Sequence, residues 1–404
     1  MKTTLDDIKA RESRHVLQTY KRQPIAFVRG KGVHLYDADG REYLDFVSGI
    51  GVASLGHVHP ALTGAIVDQA QTLIHTSNLY YHPFQADAAA RLAELSGLPR
   101  VFFCNSGTEA VEACLKFARR YWFTQGVTGR TGFVALEGGF SGRTMGALSV
   151  THDEHYRGPF QPLIGPVVFV DPARPEALLA AVTEQTAAII AEPIQGEGGV
   201  RPLTPALAQA INEACARTGT LYIADEVQSG LGRTGHPFYS AVLGLKPDLI
   251  SVGKALGGGV PVGAALVSER VAGTIAAGDH GSTYGGNLLG TRAASVFLDQ
   301  LTSGGLLDHV KQVGPHFERR LRTLALKHPV VTEVRGAGLM RGLQLDVDAA
   351  PVVDAARERG LLVNRTNEKV VRLLPPLTIG EADIDRAAEI LDGVFATVAS
   401  EVRA

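Results

Sequence analysis

Three cysteines in 404 residues, Cys104, Cys114 and Cys215, are too few and too scattered for a disulfide framework or a C-x-x-C motif. Each lies in an apolar strand or helix context, which predicts buried, reduced, structural thiols. Net charge is almost as scarce, with a formal balance of −2. A nucleic-acid or anionic-membrane partner needs a concentrated basic face, so neither is expected. No apolar run is long enough to span a bilayer, and Met1 to Arg14 is polar, without the apolar core of a secretory signal. A cytoplasmic protein is the expectation. Metal-ligand spacings are missing too: His57 and His59 have no acidic or cysteine partner at a matching spacing and read as loop histidines. No internal repeat or low-complexity tract interrupts the chain.

What the chain does have is short apolar runs. Val101-Phe102-Phe103-Cys104, Phe133 to Leu136, Val167 to Val170, Ala187 to Ala191, Leu221 to Ala224 and Leu249 to Val252 are too short for helices and rich in strand formers. Helical patterns alternate with them, including one capped by Thr204 and Pro205 and closed by Gly219. Such alternation predicts an α/β fold with a mostly parallel sheet. Residues 57–304 are expected to form this large domain. Residues 305–404 read as a smaller α+β domain, and residues 1–56, with a hairpin over 26–46, as a segment packing with it.

Ligands of open α/β sheets bind at the carboxyl ends of parallel strands. One strand here ends in Asp225-Glu226 and another in Gly253-Lys254. A carboxylate can hold a ring nitrogen protonated while a neighbouring lysine amine bonds to an aldehyde, as pyridoxal phosphate requires. The same spacing fits a buried Asp–Lys ion pair of no catalytic use. Upstream, Asn105-Ser106-Gly107-Thr108 stands between a strand and a helix from about Glu109 to Tyr121, with Glu112 spaced to pair with Lys116. That arrangement aims free N–H groups and hydroxyls at a phosphate, although it is also an ordinary helix cap.

In order along the chain, Asn105 to Ala110, Glu192-Pro193-Ile194-Gln195-Gly196-Glu197-Gly198-Gly199, Ala224-Asp225-Glu226-Val227-Gln228-Ser229-Gly230 and Gly253-Lys254 resemble the signatures of class III pyridoxal-phosphate aminotransferases. The likeness runs from about Tyr20 to about Pro376. It implies the fold type I architecture of PLP-dependent transferases, with pyridoxal 5'-phosphate as cofactor and an amino donor and 2-oxoglutarate as substrates. Lys254 and Asp225 would be catalytic. Ser106, Gly107 and Thr108 would hold the phosphate, Phe140 would stack on the ring, and Gln228 would lie beside its phenolic oxygen. Arg143 and Arg372 would bind substrate carboxylates, with Glu197 pairing with an active-site arginine and yielding it to a dicarboxylate. Ser282 and Thr283 lie in a loop that, by the resemblance, reaches the neighbouring subunit's site, with Ser282 near substrate and Thr283 on the phosphate. The expected unit is therefore a homodimer with shared sites.

Two features depart from the commonest pattern: Ser141, where histidine is expected, and the Ser251-Val252-Gly253 lead into Lys254. Within the class, His75 to Tyr81 and Gly49-Ile50-Gly51-Val52 are most similar to acetylornithine aminotransferases, whereas ornithine aminotransferases carry a tyrosine where Ile50 stands. N2-acetylornithine is thus the expected donor, with ornithine, 4-aminobutyrate and carrier-linked lysine-pathway amines as alternatives. A rival class of enzyme rests on Gly230-Leu231-Gly232-Arg233-Thr234-Gly235, which fits the dinucleotide fingerprint, but Pro237 follows where a helix should open. A non-catalytic relative keeping the fold as a binding module is the other alternative.

Overall fold

The computed structural model describes residues 4–401; residues 1–3 and 402–404, the outer ends of the predicted terminal segments, lie outside the described residues. Seven strands build the main sheet: β1 (Arg100–Cys104), β2 (Gly132–Leu136), β3 (Val167–Val170), β4 (Thr186–Ala191), β5 (Leu221–Asp225), β6 (Leu249–Val252) and β7 (Gly263–Val267). Their spatial order is β1-β7-β6-β5-β4-β2-β3. All run parallel except β7, which is antiparallel to both β6 and β1. Strands covered by helices on both faces can be apolar throughout. Accordingly every residue of β2, β4, β5, β6 and β7 is buried. The parallel direction puts the carboxyl ends of β1, β2, β4, β5 and β6 along one edge of the sheet, and the signature loops all leave from that edge.

A second, antiparallel sheet is made by Val331–Ala337, Met340–Leu345, Val370–Leu373 and Asn364–Arg365. The helix Leu306–Lys327 packs on it and on the last helix, Glu381–Glu401. The amino-terminal strands Phe27–Lys31, His34–Asp37 and Glu42–Asp45 form their own sheet, extended by Leu361–Leu362 in parallel with Glu42–Asp45. That late strand is how the first residues of the chain are tied to the last hundred. No helix among the described residues is long and apolar enough to cross a membrane.

One local expectation changes. Glu112 does not pair with Lys116: its carboxylate accepts the N–H groups of Gly146 (2.7 Å) and Ala147 (3.1 Å), fixing the helix Met145–Ser149. Lys116 instead reaches His280 Nδ1 at 2.8 Å. Two backbone donors outcompete a flexible surface ammonium, because a charge-assisted bond to a fixed amide loses less side-chain entropy. The glycine-rich 230–235 segment opens no helix. It is a series of turns in which Gly232 and Gly235 take φ of 90° and 84°. Arg233 points inward from it and donates to the Leu339 and Pro375 carbonyls and to Ser54 Oγ. A loop held to the second sheet in this way lacks the helix start on which a dinucleotide phosphate would sit.

Candidate active site

Lys254 follows β6 and begins a single 3-10 turn, Lys254–Gly257. Its φ of 41° lies in the left-handed region, a conformation a side-chain-bearing residue holds only where its surroundings impose it. Burial lowers the pKa of its amine below the 10.5 of an ordinary lysine; the Arg372 charge lowers it further, against the pull of Asp225, Glu197 and Glu192. Asp225 ends the neighbouring strand and is buried. Its Oδ1 accepts the Val227 N–H at 3.2 Å and the Ser251 hydroxyl at 3.1 Å. Burial raises this carboxyl, opposed by the Val227 N–H, Lys254 and the Ser251 and Ser141 hydroxyls.

The phosphate-type loop abuts the lysine. A Cβ on Gly253 would come within 3.0 Å of the Gly107 backbone, and one on Gly107 within 2.5 Å of Val227, so both glycines are needed for this approach. Ser106 caps the helix Gly107–Thr124 through Glu109 N–H (3.3 Å). The N–H groups of its first turn lie ahead of the intrahelical ladder, at the positive end of the helix dipole. Thr108 Oγ1 accepts N–H groups of Arg143 and Thr144, both at 3.3 Å, linking this helix start to the loop after β2. In that loop Phe140 is half-buried, while Arg143 is exposed and stacks 3.5 Å over the Tyr156 ring.

Arg372 arrives from the second sheet. It is fully buried, with Nη1 2.6 Å from Glu197 Oε1 and 3.1 Å from Gln228 Oε1, and Nε 3.3 Å from Asn364 Oδ1. The arginine that Glu197 meets is thus Arg372, and the pair is closed onto itself. Ser282 lies behind the phosphate-type loop, its Oγ accepting from Asn105 Nδ2 at 3.2 Å, whereas Thr283 is exposed. Asn78 and His82 hold this same loop through the Gly285 and Gly286 carbonyls at 2.8 and 2.7 Å. The cysteines are far from reactive: burial pushes Cys104 and Cys215 up to about 12 and raises Cys114 well above the ordinary thiol value.

Glu192 opens one of the signatures, but the sequence assigned it no role. It is buried, and its two oxygens accept the Phe140 N–H (2.9 Å) and the Gly196 N–H (3.0 Å), so one carboxylate fixes both the Phe140 loop and the loop of Glu197. Burial first, then Asp225, pushes it up to about 8. The available signal was a glutamate directly after the apolar run over residues 187–191, a position where an acid needs donors. Together these groups fit pyridoxal phosphate: a helix start for the phosphate, an acid for a ring nitrogen and a depressed amine for an aldehyde.

The sequence matches the family model described as aminotransferase class-III over residues 16–395. An acetylornithine aminotransferase of Archaeoglobus fulgidus is 47% identical over 381 residues, covering 94% of this chain and 98% of its own. One of Methanosarcina mazei is 44% identical over 388 residues, 96% of each chain. Among solved structures, the ornithine aminotransferase of Toxoplasma gondii, with PLP in partial occupancy at its active site, matches with a TM-score of 0.95 at 32% identity, over 100% of this chain and 96% of that one.

Proposed function

Because the chain belongs to the class-III aminotransferases, we propose that it moves the terminal amino group of N2-acetylornithine to 2-oxoglutarate, giving N-acetylglutamate 5-semialdehyde and glutamate. The observation that carries the transaminase chemistry is the meeting of a depressed lysine amine, Lys254, with the buried carboxylate Asp225 at the ends of adjacent strands. Pyridoxal phosphate, when bound, supplies an electrophilic aldehyde and a protonated ring that takes up the electron pair left on the donor carbon. Asp225 keeps the ring proton in place. The Lys254 amine, neutral at a lower pH than usual, would take the proton from the donor carbon and deliver it to the carbon on the far side of the transferred nitrogen, as base and then acid. Ser106, Gly107 and Thr108 would hold the phosphate, and Phe140 and Gln228 would hold the ring. Arg143 grips the donor carboxylate with a planar fork. Arg372, released by Glu197, receives the carboxylate of 2-oxoglutarate.

Ile50 supports the choice of donor. It is β-branched yet has a φ of 64°, in a turn that packs against Lys254–Gly257. Asp45 fixes this turn through the Val47 and Ser48 N–H groups, and Ser48 Oγ donates to the Leu374 carbonyl at 2.6 Å. An apolar side chain held there cannot bond a free α-amine, whereas an acylated amine brings no charge to bury. A panel of N2-acetylornithine, ornithine and 4-aminobutyrate with 2-oxoglutarate should give the highest kcat/KM for N2-acetylornithine, by about tenfold or more. Equal use of free ornithine would reject this donor.

The working form we infer is a cytoplasmic homodimer in which Thr283 serves the neighbouring site. The exposed Thr283 and its firmly held loop support this. Mixing inactive Lys254→Ala chains with chains inactivated at Thr283 should restore activity in hybrid dimers with one intact site. Hybrids that form and stay dead would refute the sharing.

A further inference from the structure

Asp225 and Ser251 are direct partners in the parallel ladder between β5 and β6. Paired residues of adjacent strands project to the same face, so the Ser251 side chain is delivered to the carboxylate by register alone. One side-chain bond joins them, Ser251 Oγ donating to Asp225 Oδ1 at 3.1 Å, and the next residue of β5's exit holds the register, the Glu226 N–H donating to the Ser251 carbonyl at 3.1 Å. With the Val227 N–H also on Oδ1, that oxygen carries two donors. Oδ2 is then the oxygen left to receive a ring N–H. Ser251 is fully buried, so no water competes for its hydroxyl. Ser141, whose N–H is fixed by Thr151 Oγ1 at 3.0 Å, is the second hydroxyl that acts to lower this carboxyl. Ser141 and Ser251, each part of a departure from the common family pattern, thus bear on one acid.

We propose that Ser251, assisted by Ser141, is a positioning residue that orients Asp225 and keeps the shared proton on the cofactor's ring nitrogen. The inference rests on the cofactor reading above. Hydrogen bonds to the ionised form of an acid favour that form. In the pair of Asp225 and a ring nitrogen, favouring the carboxylate places the proton on the ring, where it draws electrons from the donor carbon. Without the hydroxyls the proton retreats toward Asp225 and the ring becomes a poorer electron sink, although the substrate contacts are untouched.

The test uses the holoenzyme with cofactor labelled with 15N in the ring, in wild type, Ser251→Ala and Ser141→Ala. Both variants should move the ring 15N resonance from the protonated toward the unprotonated position, with the larger movement for Ser251→Ala. For Ser251→Ala, kcat should fall about tenfold while KM for the donor stays within about twofold, the size expected for one hydrogen bond to a charged group. Apo Ser251→Ala should bind the cofactor about tenfold more weakly by absorbance titration. A bound Ser251→Ala whose 15N resonance matches wild type overturns the proposal, whatever happens to its activity. Should Ser251→Ala fail to fold, an unmoved resonance in Ser141→Ala overturns it equally. Wild-type protein that takes up no cofactor at Lys254 would instead overturn the cofactor reading, a separate and earlier failure.

Discussion

Lys254→Ala should lose turnover by at least about 10⁴-fold, the combined scale of a missing nucleophile and a missing general base. Borohydride reduction of the wild-type protein should fix the cofactor covalently to the peptide containing Lys254, and the variant should retain no covalent label. Recovery of the label on another lysine would sink the assignment. Both the backbone and the charge state of Lys254 mark it out. The residue is held at φ 41° directly after a strand, and burial together with Arg372 lowers its amine below the ordinary 10.5. A lowered base pKa means the neutral form is populated from a lower pH upward. The limb of the pH–rate profile that reports this amine should therefore lie below that of an ordinary lysine, and activity should rise as pH increases through it.

The sheet could be read from the sequence because parallel strands buried on both faces must be almost continuously apolar, and β2, β4, β5 and β6 are, apart from Thr186, Ser251 and the terminal Asp225. Their ends were readable for the same reason: Asp225 and Lys254 are the first charges after such runs. Periodicity does not carry register, and the rest was hidden there. That Ser251 faces Asp225, or that Arg372 meets Glu197 from 175 residues away, depends on which strands lie side by side and how two sheets close on each other. Ser141 and Ser251 stood out only as departures from a pattern, without a role. The antiparallel β7 and the two-residue strand Leu361–Leu362 were equally silent, since neither direction nor partner is written in a short apolar run. Glu112 shows the limit of local rules: an i,i+4 spacing to Lys116 promised a few tenths of a kcal/mol, about 0.3, and tertiary amides claimed the carboxylate instead.

Arg372→Ala should divide the reaction into its halves. Removing a buried guanidinium from a carboxylate ligand costs on the order of 100-fold or more in kcat/KM for 2-oxoglutarate. The donor half-reaction, with the donor carboxylate on Arg143, should change far less in its KM. The fold should survive, because the Glu197 side chain is 34% exposed and water can replace its lost partner, while Gln228 and Asn364 are neutral. A second signature separates this role from simple loosening of the site. The Arg372 charge is one of the causes that lower the Lys254 amine, and its removal should raise that pKa. The rising limb of the donor half-reaction's pH profile should then move to higher pH. Glu197→Gln gives the opposite test of the same pair, since it removes a charge that raises the amine and frees Arg372 at once. Its pH limb should move down, and its acceptor KM should fall. Equal losses in both half-reactions for Arg372→Ala, with an unmoved pH limb, would show that Arg372 merely supports the second sheet.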